Sequence, residues 1–489
     1  MKYKNEINQF ISIIVLCVVS RYFVPKIIGD VVFWLLIILF IKAKPNKNHF
    51  WVMIFWFLLS APGYLFSESG LYRLPVIPVP GLNREIEYIE IVTILTIGKA
   101  IIKPIKQNIF LNRIFVPIGI YAIFLLLYGF IIGTTLISSL KAVRLFIPLL
   151  LIFAIPKIIP YKRIPDTIKI LFLCVIILFT MQIIDIVTGM PLAAKIGENK
   201  FLFSGTIYNT DAHVFDVTKN TVRTIYGPFM ILLNLIICFS LLTKSNQSIR
   251  PQILLSQSGI SLISIFLSAT RSWIIAAAFI TIVFIIITSK RIIKVVIAGS
   301  IIMLVAISIP MISLQLERAY ERTKTIELLL RGDLTAGGTL SRITQRGPRV
   351  MNKYYERPIF GHGYSDEYFK YSDGHVGNQN LLLQGGIIGL IIYVIVINNI
   401  IINIYNMYNI DNNKSMIIFI AGIIGLLIIH ANAMIFGYSM NSNVAIFLAI
   451  YLMVINYHKT SVIKVNKSEE KSYKGVKPVL VRSLEVVSK

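Results

Sequence analysis

Charge is what this chain has least of. Of its 489 residues only 15% are charged, against 56% hydrophobic. A soluble domain carries about a quarter charged residues and does not run apolar for about twenty residues at a time, so a water-soluble globular class is excluded. Cysteine is nearly absent as well. The three present, Cys17, Cys174 and Cys238, all fall inside apolar stretches. They read as small core hydrophobes, and neither a disulfide framework nor a metal site is expected. Acidic residues are scarce: 23 Asp and Glu face 48 Lys and Arg, leaving a net charge of +25. In a membrane chain that excess is topological, because Lys and Arg collect on the cytoplasmic side near anionic lipid; no nucleic-acid partner is expected. The first apolar stretch lacks a small-residue cleavage site and is followed at once by another, so no cleavable leader is expected. No internal repeat of fixed period and no inverted pair of broken helices appears, which weakens a transporter reading.

What fills the chain instead is hydrocarbon-compatible sequence. Stretches such as IGIYAIFLLLYGFIIG at 118–133 and LFLCVIILFTMQIIDIV at 171–187 are long enough to cross about 30 Å of lipid interior. Repeated along the chain they imply an all-α bundle, since backbone groups in lipid must be bonded within their own segment. About fourteen spans are expected, at roughly 8–24, 27–42, 49–66, 86–102, 114–133, 138–155, 166–187, 225–243, 252–268, 271–289, 292–313, 381–404, 415–434 and 440–457. With the N-terminus in the cytoplasm, the short basic connections KAKPNKNH, KPIKQNIFLNR, PKIIPYKR, TKSNQSIR and SKRIIK all fall inside, as does the basic tail 458–489. That tail is expected to be an unstructured appendage to a membrane domain of residues 1–457. Three long connections then face outward, at about 67–85, 188–224 and 314–380.

The last of these, 314–380, is a polar island whose core reads GGTLSRITQRGPRVMNKYYERPIFGHGYSDEYFKYSDGHVGNQNLLLQGG. The inner connections favour lysine and this loop favours arginine, whose planar fork matches phosphate oxygens. The same topology puts ionisable groups at outer helix ends: Arg144, Asp185, Arg271 at a tight turn between two spans, and His430. Arginine in or beside a span is costly and usually has a reason to stay. Snorkelling or a salt bridge to a neighbouring helix is the bland reason; an anionic ligand at the outer interface, such as the pyrophosphate of a lipid-linked sugar, is the other.

Three stretches resemble the O-antigen polymerase and O-antigen ligase family of bacterial membrane glycosyltransferases. LSATRSW at 267–273 is similar to that family's Ser-x-Ser-Arg turn. GGTLSRITQRGPRVMNKYYERPIFGHGY at 337–364 resembles its arginine, short amphipathic helix and Pro-x-x-Gly-x-Gly, here Pro358, Gly361 and Gly363. GHVGNQNLLLQGGIIGL at 374–390 is similar to its histidine-bearing entry to the next span. One departure stands out. Where the family has His-Asn before the apolar run, this chain has Gln379-Asn380, and the nearest histidine, His375, lies four residues earlier. Were the segment helical, the two would share a face; otherwise His362, Asp366 and Asp373 become candidates for the base.

The resemblance implies a GT-C-like enzyme of the bacterial inner (plasma) membrane, with both termini cytoplasmic and the 314–380 loop forming an extracytoplasmic active site. Its partners would be an undecaprenyl-pyrophosphate-linked oligosaccharide, a glycan acceptor, membrane lipids and a chain-length regulator, with no cofactor and no metal. A leaving pyrophosphate needs fixed cations, assigned to Arg271 and Arg342 with Arg144 and Arg346 as helpers. The acceptor hydroxyl needs a general base, assigned to His375. Direct displacement would invert the anomeric centre without a carboxylate nucleophile. Tyr354, Tyr355, Tyr364, Tyr368 and Tyr371 stack on sugars or pack the loop, and Gly361 and Gly363 shape a turn more readily than they bind phosphate. The larger span count and long tail favour a repeat-unit polymerase over a ligase. A polysaccharide flippase, the non-enzyme alternative, would carry ionisable residues deep in both halves of the bundle and no large outer loop.

Overall fold

A computed structural model describes residues 2–60, 74–79, 85–188, 215–216, 221–222, 227–243, 249–288, 312–313, 316–317, 320, 331–332, 342–411 and 414–475. Helix dominates, as hydrocarbon-rich sequence requires. In chain order the elements are α1 (Lys2–Tyr22), α2 (Lys26–Lys42), α3 (Asn48–Ser60), the strands β1 (Val76–Pro78) and β2 (Glu85–Glu87), then α4 (Tyr88–Ile102), α5 (Val116–Ile132), α6 (Leu136–Phe146), α7 (Leu151–Ile158) and α8 (Ile164–Thr188). A two-residue pairing of Phe215–Asp216 with Thr221–Val222 follows. The second half contains α9 (Pro228–Leu242), α10 (Pro251–Leu267), α11 (Arg271–Ile287), α12 (Gly347–Tyr354), α13 (Asp366–Tyr371), α14 (Gly377–Asp411), α15 (Ser415–Asn432) and α16 (Ser442–Gly475).

Each expected span that falls among the described residues coincides with a helix. The one at 292–313 lies, save its last two residues, outside them. Among the described residues, five helical stretches are long and apolar enough to cross a membrane: Phe110–Ile132, Leu136–Ile158, Tyr161–Ile184, Gly377–Tyr408 and Ser415–Asn432. Four shorter apolar helices accompany them: Pro228–Leu242, Pro251–Leu267, Arg271–Ile287 and Ser442–His458. The protein is thus an all-α membrane protein. The tail differs from expectation, because α16 continues as helix through Gly475. Residues 458–474 contain neither glycine nor proline, so nothing in that stretch stops a helix already nucleated in the bundle.

Long-range hydrogen bonds define two ends of the bundle. At one, Asn48 Nδ2 donates to Ile158 O (3.1 Å), Ile105 N to Lys157 O (2.7 Å) and Arg163 Nε to Asn46 O (3.0 Å). Three of the lysine-rich connections therefore meet there, and it is called the basic end below. At the other, Ser60 Oγ donates to Asn443 Oδ1 (3.1 Å), Met440 N to Leu145 O (3.2 Å) and Met434 N to Gly374 O (3.1 Å). The arginine-rich loop docks at this second end.

Candidate active site

The loop is fastened to the bundle by a break in α14. Gly386, inside that helix, has φ 64° and ψ −167°, so the regular ladder cannot run through it. The freed groups find partners in the Pro358–Gly363 turn. Ile387 N donates to Pro358 O (2.9 Å) and Ile388 N to Ile359 O (3.2 Å), while Leu383 O and Gln384 O accept from His362 N and Gly363 N (2.8 Å each). The Tyr121 hydroxyl donates to Gly385 O at 2.7 Å. A broken helix at membrane depth is tolerated only with such replacement. The fit is close: a Cβ on Gly386 would lie 2.2 Å from Ile359 O, and one on Gly361 would lie 2.6 Å from Gln384 O. Gly361 and Gly363 also have positive φ, so the Gly-x-Gly shapes a turn that splices the loop into α14.

This splice holds the cationic residues over the start of α14. Arg342 opens a turn of π-helix, Arg342–Arg346, that runs into α12. A Cβ on Gly347 would come within 2.9 Å of Gln379 Oε1, so α12 rests directly on the first turn of α14. Arg342 Nη1 donates to Asn432 Oδ1 at 3.1 Å, at the end of α15. Arg346 and Arg349 flank one carboxylate, Asp373, at 3.6 and 3.4 Å. Asp373 is fixed in turn: its N–H donates to Asn380 Oδ1 (2.9 Å), and Asn380 Nδ2 donates to Asp373 O. Burial, then the neighbouring Arg346, pull the Arg342 pKa down, and Asp373 restores part of it. Two guanidinium groups on one carboxylate, with a third on the Asn432 amide, leave positive charge that an anion would satisfy.

His375 is exposed beside this cluster, in a turn rather than on α14. Its N–H donates to Asp373 Oδ1 at 3.0 Å, an aspartate turn that competes with helix formation. The helical face that His375 was to share with Gln379 therefore does not exist. Gln379 Oε1 is itself buried with no hydrogen-bond partner among the described residues. The other candidates for the base are occupied. His362 is buried, its Nε2 2.9 Å from Lys353 O, and desolvation pushes its pKa down. Asp366 accepts from Thr135 N and Thr135 Oγ1, tying α13 to α6.

Arg271 begins α11 after a turn through Ala269, whose φ is 52°. Its level can be placed by packing. A Cβ on Gly425 of α15 would lie 3.5 Å from Ala276 Cβ. Arg271 is five residues before that contact and His430 five residues after it, each about 7.5 Å along antiparallel helices, so both sit at the same end as Arg342. Arg144 also reaches that end but is held elsewhere. Its guanidinium meets Glu87 (2.7 Å) and Glu90, which form the capping box of α4. That is the salt bridge between neighbouring helices, and Arg144 is not gathered with Arg342 and Arg346. His430 is 1% exposed, with Nδ1 accepting from Phe436 N at 3.1 Å. The side chain of Asp185 lies outside the described residues.

The tyrosines divide. Tyr364 and Tyr368 are buried, donating to Tyr438 O and reaching Met434 Sδ (3.9 Å), so they pack the loop. Tyr355 remains 66% exposed. Sequence reading missed Arg349, Asn380 and Asn432. For the two asparagines only polarity next to an apolar run, in GNQNLLL and HANAM, gave a signal; Arg349 gave none beyond its place in the arginine-rich loop.

A helical membrane bundle that concentrates arginine, amide and exposed histidine at one end defines a polytopic membrane protein with its polar chemistry on a single face. Residues 258–394 match the model of the O-antigen ligase family, Wzy_C, a match over that segment consistent with the O-antigen polymerase and ligase family. The match runs from α10 through Arg271 and the loop into α14, and so contains both the cationic cluster and the splice. No curated protein and no solved structure matches the chain.

Proposed function

We propose that this chain is a polysaccharide repeat-unit polymerase: it transfers an undecaprenyl-pyrophosphate-linked glycan to the hydroxyl of another lipid-linked repeat unit on the outer face of the bacterial inner membrane. The family supports membrane glycan ligation or polymerisation in general. The observation that carries the finer reading is the half-buried Arg342, held by an amide and flanked by Arg346 and Arg349 around one carboxylate. The cluster lies within the family-matched segment and at the same end as Arg271. A pyrophosphate leaving group fits this surplus, since charge developing on its bridging oxygen is stabilised by cations already in place. In the reaction, His375 takes the proton of the acceptor hydroxyl. The oxygen attacks the anomeric carbon from the face opposite the pyrophosphate, the bond between that carbon and the pyrophosphate oxygen breaks, undecaprenyl pyrophosphate departs with the electron pair, and the configuration inverts.

The orientation belongs to the same proposal: fourteen spans, both termini cytoplasmic, and the site extracytoplasmic. It is supported by the meeting of short lysine-rich connections at the end opposite the arginines. A ligase reading, with finished glycan passed to a lipid core or other acceptor, is favoured by the description of the matched family model. Glycan analysis of a deletion strain separates the two. Single repeat units left on the carrier mark a polymerase, and long carrier-linked chains that are never transferred mark a ligase. Normal, transferred polymer in the deletion strain, or in strains carrying Arg342→Ala, would reject both.

A further inference from the structure

The basic end contains a feature that glycan transfer does not use. A cleft of about 490 Å³ opens between α1 and the α2–α3 connection. One wall is a polar stripe of Asn5, Asn8, Gln9 and Ser12, with Lys47 opposite; the floor is Leu39, Phe50 and Trp51. The stripe residues fall at i, i+3, i+4 and i+7 and so share one face of α1. All four are exposed, and among the described residues no hydrogen bond engages their side chains. From Asn5 to Ser12 is about 10 Å along the helix, enough to run through one interfacial layer of about 5–7.5 Å into the edge of the hydrocarbon. Around them α1 and α2 present Ile11, Val15, Ile38 and Ile41 outward, as membrane helices do.

We infer that this cleft is a binding site for an anionic glycerophospholipid from the leaflet at the basic end. Asn5, Asn8 and Gln9 carry free amide donors for a phosphodiester and acceptors for a glycerol hydroxyl. Lys47 donates to Glu6 Oε1 at 2.6 Å, yet its side chain is 41% exposed, so further N–H donors are open to a phosphate. An acyl chain entering from the bilayer would lie on Leu39 and against the aromatic floor. Charge selects the headgroup: Lys42, Lys44 and Lys162 are exposed at this end and draw anionic lipid to it. The same charge disfavours a second copy of the chain as occupant, because a two-fold pairing through this face would bring the lysine-rich ends together.

The full-length protein is reconstituted into phosphatidylcholine nanodiscs containing a minority of lipid brominated on its acyl chains, either phosphatidylglycerol or phosphatidylcholine. Bromine quenches tryptophan fluorescence at short range, and a Trp51→Phe protein isolates the Trp51 share of the signal. Brominated phosphatidylglycerol is expected to quench Trp51 several-fold more effectively than brominated phosphatidylcholine. The double variant Asn8→Leu, Gln9→Leu, which removes no described hydrogen bond, should bring the two lipids to parity, and Lys47→Gln should do the same. Equal quenching by both lipids in the unmodified protein would overturn the inference, as would a preference that survives the double variant. A dimer that dissociates in the double variant would also overturn it, by making a second copy the occupant.

Discussion

Two charged clusters, one at each end of the bundle, are built in opposite ways. At the basic end every described carboxylate is matched: Glu6 accepts from Lys47 at 2.6 Å and Arg163 at 2.9 Å, and Arg163 also reaches Asp166 at 2.6 Å. His49 lies 3.4 Å from Glu6 within the same buried group. Two cations and two anions pair across α1, the α2–α3 connection and the start of α8, which holds those segments together, while Asp166 Oδ1 and the His49 ring nitrogens stay buried without a hydrogen-bond partner among the described residues. At the other end two arginines share one aspartate at longer range, and Arg342 faces an amide. Balanced charge makes a joint. Surplus charge, fixed by a splice that costs α14 its regularity, makes a place for something to bind.

The comparison breaks most visibly in activity. His375→Ala should lower glycan transfer by about 10²–10⁴-fold, the range for loss of a general base, while Gln379→Ala should lower it by less than about tenfold. Radiolabelled chain elongation in membranes checks both; the reverse order would move the base to Gln379's neighbourhood and the histidine out of the mechanism. Arg342→Ala should cost about 10²–10³-fold, as for removal of one fixed charge stabiliser, with the melting temperature of the purified protein unchanged. Arg163→Ala is its mirror. Breaking a buried pair from one side costs about 3–5 kcal/mol, so abundance and melting temperature should fall while activity per folded molecule is kept. If Arg163→Ala instead spares stability and abolishes transfer, the two ends have been assigned the wrong roles.

Much of the fold was legible because lipid leaves the chain so few options. A stretch such as IGIYAIFLLLYGFIIG can only be a helix, and α5 forms at Val116–Ile132. The site was legible in part. Arg342, Arg346 and His375 stood out through the resemblance of their stretches to family motifs, and the structure sets them around Asp373 and Asn432. Arg144 did not join them, because its partners Glu87 and Glu90 are delivered by the end of β2 and the first turn of α4, a contact over more than fifty residues that no local pattern shows. The break at Gly386 was also hidden. Gly385-Gly386 sits inside a run whose hydropathy is continuous, and the turn that completes it lies more than twenty residues upstream. Spacing left open whether His375 lies on a helix; the Asp373 side chain captures its N–H, and the helix begins only at Gly377.

A smaller effect separates the ends by pH. Burial lowers the pKa of His362 from its ordinary 6.5, so the folded loop binds a proton less readily than the unfolded chain does. Stability then rises with pH through this region and falls as pH drops below about 6.5. Acidification from neutral pH should loosen the loop, seen as faster amide exchange at Gly361–Gly363, before it affects the bundle. His362→Gln, which keeps a donor for Lys353 O, should flatten that dependence. An unchanged pH profile in His362→Gln would place the sensitivity elsewhere.

The smallest effect concerns the turn that presents Arg271. Ala269 is the only non-glycine residue with positive φ among those described, and such a backbone costs an L-residue with a Cβ about 1–2 kcal/mol. Glycine there would remove that strain but lose about 0.5–1 kcal/mol to the greater freedom of the unfolded chain. The difference favours Ala269→Gly by about 0.5–1 kcal/mol, readable as a small rise in melting temperature. Strain kept at a functional end persists when it fixes a geometry that the chemistry needs. Ala269→Gly should therefore gain stability and lose a modest part of its transfer rate, because Arg271 is no longer held to one direction. A variant that gains stability at full activity would show that the turn merely joins two helices, and that the surplus charge at this end depends on Arg342 and its neighbours without Arg271.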